Sequence, residues 1–168
     1  MTTAVRILEP LLVLVRKDLE RPHHFAAERV GFLYARRAPT SGGIVLLASG
    51  YEPVQDDHYV DDPAVGARIG SAAIRSALQH ALSSGDCVLH VHAHFGSLAP
   101  SFSRVDLEGL EGLIPSFFSV APRAAHGGLV LGDIHAYGLV WASPRANPST
   151  VAMRYVGRSV ALLGGLDE

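Results

Sequence analysis

The alternation of apolar and polar positions divides the chain into short elements joined by turns. Leu11 to Glu20 has helical spacing and is opened by Pro10, whose ring suits a first helical turn. Val30 to Arg36 and Ile44 to Ala48 read as strands, the second as an unbroken apolar run of the kind buried inside a sheet. The longest helical pattern runs from about Pro63 to Ser84. Asp62 is placed to cap it, Pro63 takes its first position and Gly85 ends it. Ile74, Ala77, Leu78, Ala81 and Leu82 fall on one face of that helix. Cys87 to Ala93 reads as a strand. A helix follows from Ser103 to Ile114, with Leu107, Leu110, Leu113 and Ile114 inward and Pro115 as its stop. Leu129 to Leu131 and Leu139 to Trp141 are two further strands meeting at a turn near Asp133, and Val151 to Val156 is another. Gly42-Gly43, Asp61-Asp62-Pro63 and Gly127-Gly128 mark turns. This mixed order predicts an α+β (α/β-like) domain, one mixed sheet flanked by helices.

Composition narrows the picture. A chain of 168 residues, 48% of them hydrophobic, can build one core, so residues 1–168 are expected to form a single domain. The net charge is −2 and the basic residues are scattered, with no stripe to follow a phosphate backbone, so nucleic acid is not an expected partner. Cys87 is the lone cysteine, which forbids an intrachain disulfide or a Cys-rich zinc site and suits a reducing compartment, the cytosol by default. Leu11 to Val15, the longest apolar run near the start, is too short to span a bilayer, and no cleavage pattern follows it. Neither a signal peptide nor a membrane span is expected. Nothing in the sequence sets an oligomeric state.

The chemistry concentrates in His90-Val-His-Ala-His94 and the following Ser103-Arg-Val-Asp106. On a strand, His90, His92 and His94 share one face. His90 and His94 would stand about 13 Å apart along it, so only an adjacent pair can meet one ion. His92 and His94 lie nearer the strand end, where loops build sites, and are favoured over His90 and His92. Asp106, in the first turn of the next helix, can add a carboxylate. Three protein ligands with an open fourth place is the catalytic form of a zinc site. The same residues also fit a plainer account: histidines on a solvated strand face, and Ser103 with Asp106 as a reciprocal helix cap. Glu28 stands where a loop enters a strand, in Glu28-Arg-Val-Gly31-Phe-Leu33, and such a glutamate is ordinarily solvated.

Other polar groups carry less. Cys87 reads as a buried, inert thiol, and Asp56, Asp57, His58, Asp61 and Asp62 as a solvated loop and a cap. His23 and His24 read as surface residues, Tyr137 and Trp141 as packing residues. No phosphate loop, Gly-x-Ser-x-Gly elbow or His-Glu-x-x-His is present.

Glu28-x-x-Gly31-x-Leu33, then His92-x-His94, then Ser103-x-x-Asp106, together resemble the JAMM motif of the MPN-plus (JAB) zinc metalloproteases. The resemblance covers about Leu11 to Ala142, and the order of elements is similar. It departs at one point: Phe95 to Phe102 make eight residues between the second histidine and the serine, where the common pattern has seven. Phe102 before Ser103, after a loop with Gly and Pro, looks like bacterial members, which are often linked to ubiquitin-like conjugation systems. The resemblance implies a single MPN-type domain, zinc held by His92, His94 and Asp106, Glu28 as the base and Ser103 as the oxyanion donor. It implies hydrolysis of an isopeptide or peptide bond after the C-terminal tail of a ubiquitin-like protein. Two alternatives accompany it: a non-catalytic MPN-type scaffold, and a metallohydrolase of the same fold acting on a sulfur-carrier protein or a small amide.

Overall fold

An amino-terminal strand, β1 (Thr2–Leu8), closes the architecture, and the expected set of strands did not include it. The computed structural model describes residues 2–97, 99–157 and 160–162. After β1 come α1 (Glu9–Leu19), β2 (Val30–Thr40), β3 (Gly43–Pro53), α2 (Ser71–Ser84) and β4 (Cys87–Ala93). Then follow α3 (Arg104–Val120), β5 (His126–Leu131), β6 (Ala136–Trp141), β7 (Ser149–Val156) and β8 (Val160–Leu162). The strands are ordered β1-β3-β2-β4-β5-β6-β7-β8, and β1 pairs in addition with β7. That last pairing is parallel, in register from Thr3 against Val151 to Leu8 against Val156; it closes β1 to β7 on themselves and leaves β8 paired with β7 alone.

The fold expectation is corrected here. The sheet is not an open layer between helices; seven strands close into a mixed β-barrel, with three helices among the described residues. An MPN-type sheet flanked by helices, as the resemblance implied, is not what the chain forms. The cause lies in β1. Thr3, Val5 and Ile7 are buried while Arg6 and Leu8 are exposed, a period of two that fills the space between β3 and β7. Closure pairs edges that would otherwise be left open.

Three element expectations also change. Residues 63–70 do not begin a helix: α2 starts at Ser71, after Gly70, and ends as expected at Gly85, whose φ is 72°. Two glycines within Pro63 to Gly70 weaken a helix there by about 1 kcal/mol each. The segment instead folds back, with Val60 N–H donating to Arg68 O at 2.8 Å and Gly70 N–H to His58 O at 2.7 Å. Asp62 caps a local turn through Ala64 N–H and pairs with Arg68, and Leu82 is exposed. Pro115 does not stop α3, which runs on to Val120 and buries Phe117 and Phe118 beyond the proline. Gly127 and Gly128 are not a turn but lie inside β5.

What matters for the site is β4. It sits between β2 (antiparallel) and β5 (parallel), and residues on both its faces are buried. One face carries Val88, His90, His92 and His94. The rings of His90 and Phe32 lie 5.9 Å apart, and Phe32 lies 6.0 Å from Phe117 of α3, so α3 covers that face. No helix among the described residues is long and apolar enough to cross a membrane.

Candidate metal centre

Strand alternation delivers the two histidines. His92 is fully buried, and its ring centroid is 4.9 Å from that of His94 at the strand end. Helix capping delivers the acid. Ser103 is the N-cap of α3: its Oγ accepts from Asp106 N–H at 3.2 Å, and its own N–H donates to Asp106 Oδ2 at 2.7 Å. The reciprocal cap fixes the carboxylate at the first turn of the helix. From there Asp106 Oδ2 lies 3.5 Å from His92 Nε2 and 3.9 Å from His94 Nε2. The plainer reading of Ser103 and Asp106 as a cap and the reading of Asp106 as a ligand are thus compatible. A carboxylate has lone pairs enough for both.

Glu28 arrives from the opposite side, on the loop leading into β2. Its Oε1 is 3.6 Å from His94 Nε2. Single ligand atoms of Glu28, His92 and His94 all lie within 4.8 Å of one another. Two ligands at about 2.1 Å in a tetrahedral arrangement stand about 3.4 Å apart, so the measured spacings suit one small ion after slight contraction. His92 provides an independent indication. Both of its ring nitrogens are buried and neither has a hydrogen-bond partner. An unpaired buried polar group costs about 1–3 kcal/mol, which a bond from a ring nitrogen to a cation would offset. Two imidazoles and a carboxylate suit zinc better than magnesium or calcium, which take oxygen ligands.

Burial alone would raise the Asp106 carboxyl, but the facing His92 ring and the Ser103 cap outweigh it and hold the group well below the usual carboxylate range. Asp106 is therefore anionic and ready to ligate. His90 stands apart from the cluster, its ring centroid 5.9 Å from that of His92. Burial pushes it down to about 3, so its ring is neutral, and it lines the same cavity as His92.

Two groups missing from the sequence reading hold Glu28. Gly66 O accepts from both Ala27 N–H (2.8 Å) and Glu28 N–H (3.1 Å), which lays the 59–70 segment against the glutamate. Arg29 is buried; its guanidinium donates to Arg21 O (2.8 Å), Pro22 O (2.9 Å) and Asp56 Oδ1 (2.7 Å) and lies over the Tyr59 ring. A glycine inside an apparent helix was the visible signal for the first; nothing in the sequence marked Arg29. Gly31 of the motif is explained by Tyr51, whose ring would lie within 2.5 Å of any Cβ there and whose hydroxyl donates to Asp18 of α1.

The remaining candidates fall outside the centre. Burial raises the Cys87 thiol. Asp56 serves Arg29 and Asp62 serves Arg68, so the acidic loop residues do not gather around an ion. His23 is more than a surface residue: its Nδ1 accepts from Phe25 and Ala26 N–H, and its ring packs 4.6 Å from Tyr59. Tyr137 and Trp141 do pack, against Phe102 and against the Leu110–Ile114–Phe118 cluster respectively. The centre opens into a cavity of about 180 Å³ lined by Glu28, Gly66, His92, Ser103 and Asp106 among others. A neighbouring groove of about 530 Å³ runs between the 59–70 segment and α3, past Val65, Ile69, Val105 and Leu113.

No family model and no curated protein matches the chain. Among solved structures it is similar to the Trichoplax adhaerens STIL N-terminal domain, at 11% identity and a TM-score of 0.41. That match covers 82% of this chain and 41% of the other. The chain thus spans less than half the length of that solved protein.

Proposed function

We propose that the chain is a zinc-dependent amide hydrolase of JAMM-like chemistry, acting after the C-terminal tail of a ubiquitin-like protein in the cytoplasm. The observation that carries the reading is the convergence of His92, His94 and Asp106 around the unpartnered His92 ring, with Glu28 on the far side. The residues fit the ion. His92, His94 and Asp106 would hold it, and zinc when bound supplies a Lewis acid and lowers the pKa of water towards about 7.

The chain's own groups do the rest. Glu28, about a third exposed beside His94, can take the proton of the attacking water at an Oε atom and return it to the departing amine. Ser103 Oγ accepts from Asp106 N–H, and its hydroxyl hydrogen can turn from the Asp106 carboxylate to the oxyanion. Such a donor is worth about 2.7–4 kcal/mol in other enzymes. The groove beside the centre has room for an extended tail and apolar walls for its side chains. The groove borders the cavity at Val65, Ile69, Val105 and Asp106, which places a bound tail next to the candidate ligands.

The test is mass spectrometry of products from a panel of ubiquitin-like fusions, incubated with zinc-loaded protein and with the Glu28→Ala variant as blank. A chelator should stop cleavage and zinc should restore it. Zinc-loaded protein that leaves every fusion intact overturns the substrate. If it then cleaves a small amide, the metallohydrolase alternative takes its place; if it cleaves nothing and binds partners without zinc, the scaffold alternative does.

A further inference from the structure

The geometry points to Gly66 as a positioning residue for the Glu28 carboxylate, an assignment that rests on Glu28 being the base. Gly66 touches Glu28 twice. Its carbonyl accepts the Glu28 backbone N–H at 3.1 Å, and its Cα faces the end of the Glu28 side chain. A Cβ on Gly66 would lie 2.8 Å from Glu28 Cδ and 3.0 and 3.1 Å from the two carboxylate oxygens. Contacts that short do not persist, so one partner would have to move.

The backbone cannot move easily. Residues 27 and 28 are tied to Gly66, and Arg29 and Tyr59 bind the same two segments on the next residues: Arg29 donates to Asp56 at 2.7 Å, and Tyr59 Oη accepts Val30 N–H at 2.9 Å. The carboxylate is the softer partner. Among the described residues no hydrogen-bond donor holds it, and His94 Nε2 lies 3.6 Å from Oε1. Its place therefore depends on the flat surface that a glycine provides. Any side chain at position 66 would displace the carboxylate from its present place beside His94, while no contact of Gly66 reaches the histidines or Asp106.

Catalytic groups must be held within about 0.5 Å, and a displacement of about 1 Å can cost about 10²-fold. Gly66→Ala is therefore expected to lower kcat by about 10²-fold on a fusion the wild-type protein cleaves, with KM little changed and one zinc per chain retained. A loop residue that merely stabilised the fold would not split kcat from KM in this way.

The deciding measurement needs no substrate. Thermal melting of zinc-loaded wild type, Gly66→Ala, Glu28→Ala and the double variant forms a cycle. Gly66→Ala should lower the melting temperature in the wild-type background and leave it unchanged or raised once the Glu28 side chain is gone. Should Gly66→Ala fail to fold alone, recovery in the double variant supports the assignment, and failure of both overturns it. Equal losses in the two backgrounds, or wild-type kcat for Gly66→Ala, also overturn it. The cycle stands even if no fusion is cleaved, in which case the amide-hydrolase reading falls by its own test.

Discussion

Two segments border the candidate metal centre, residues 87–106 and residues 55–70, and they reach it by different physics. In the first, each group is placed by its neighbours in sequence: His92 and His94 by the two-residue period of β4, and Asp106 by its reciprocal cap with Ser103. In the second nothing local decides. Its residues 63–70 have a helical pattern yet fold as a loop, and Gly66, Asp56 and Tyr59 find partners at residues 27–30, far away in sequence. The candidate ligands thus come from local order, and the proposed base, Glu28, is placed by tertiary contacts. Substitutions in the two segments should fail differently.

The largest effect belongs to the first segment. His92→Ala or Asp106→Ala should lose stoichiometric zinc, while His90→Ala, outside the cluster, should keep most of it. Elemental analysis of the purified variants checks this. Zinc lost on replacing His90 and kept on replacing His94 would show that the ion sits one register back along β4.

Next comes the base. Glu28→Gln should retain zinc and the wild-type melting curve but lose about 10²–10⁴-fold in turnover, the usual span for a positioned proton-transfer group. Assays and metal content measured on one preparation separate this from ligand loss. Parallel loss of zinc would make Glu28 a ligand, which its distance to His94 permits.

The second segment is probed by Arg29→Met. The carbonyls of Arg21 and Pro22 lose their donor, at an expected cost of about 1–3 kcal/mol in chemical denaturation. Zinc stoichiometry should not change, since no ligand is touched. A stable Arg29→Met protein with normal turnover would remove the clamp from the account.

The smallest effect is a control away from the candidate ligands, where His126 meets the start of β4. His126 is buried; its Nδ1 accepts from Val88 N–H, its Nε2 donates to Ala121 O, and burial lowers its pKa. The folded protein therefore prefers the neutral ring. Its contribution is complete above the unfolded histidine value of about 6.5 and is lost as pH falls below it, with at most about 1.4 kcal/mol lost per pH unit. His126→Gln keeps an acceptor and a donor and cannot titrate. Denaturation of the metal-free protein at pH 7 and 5 should show a shallower acid loss for the variant than for the wild type.

The comparison also marks what could be read in advance. The extents of β4 and β7, the capped start of α3 and the terminator Gly85 follow from side-chain period and turn chemistry, which act over a few residues. So does the pairing of His92 with His94. Pro115 was misread because a local rule met a stronger pull: burial of Phe117 and Phe118 carries α3 past the proline. The start of α2 was misread because Gly66 gains two backbone hydrogen bonds by leaving the helix.

By itself, then, the sequence determined β4, the capped start of α3 and the candidate ligand set, since strand alternation and helix caps are properties of adjacent residues. Only the tertiary structure decided that β1 joins β7 and closes a barrel where an open sheet was expected. It alone set Glu28 beside His94, with Gly66 at its back. These contacts join residues distant along the chain, and a distant partner leaves no periodicity behind.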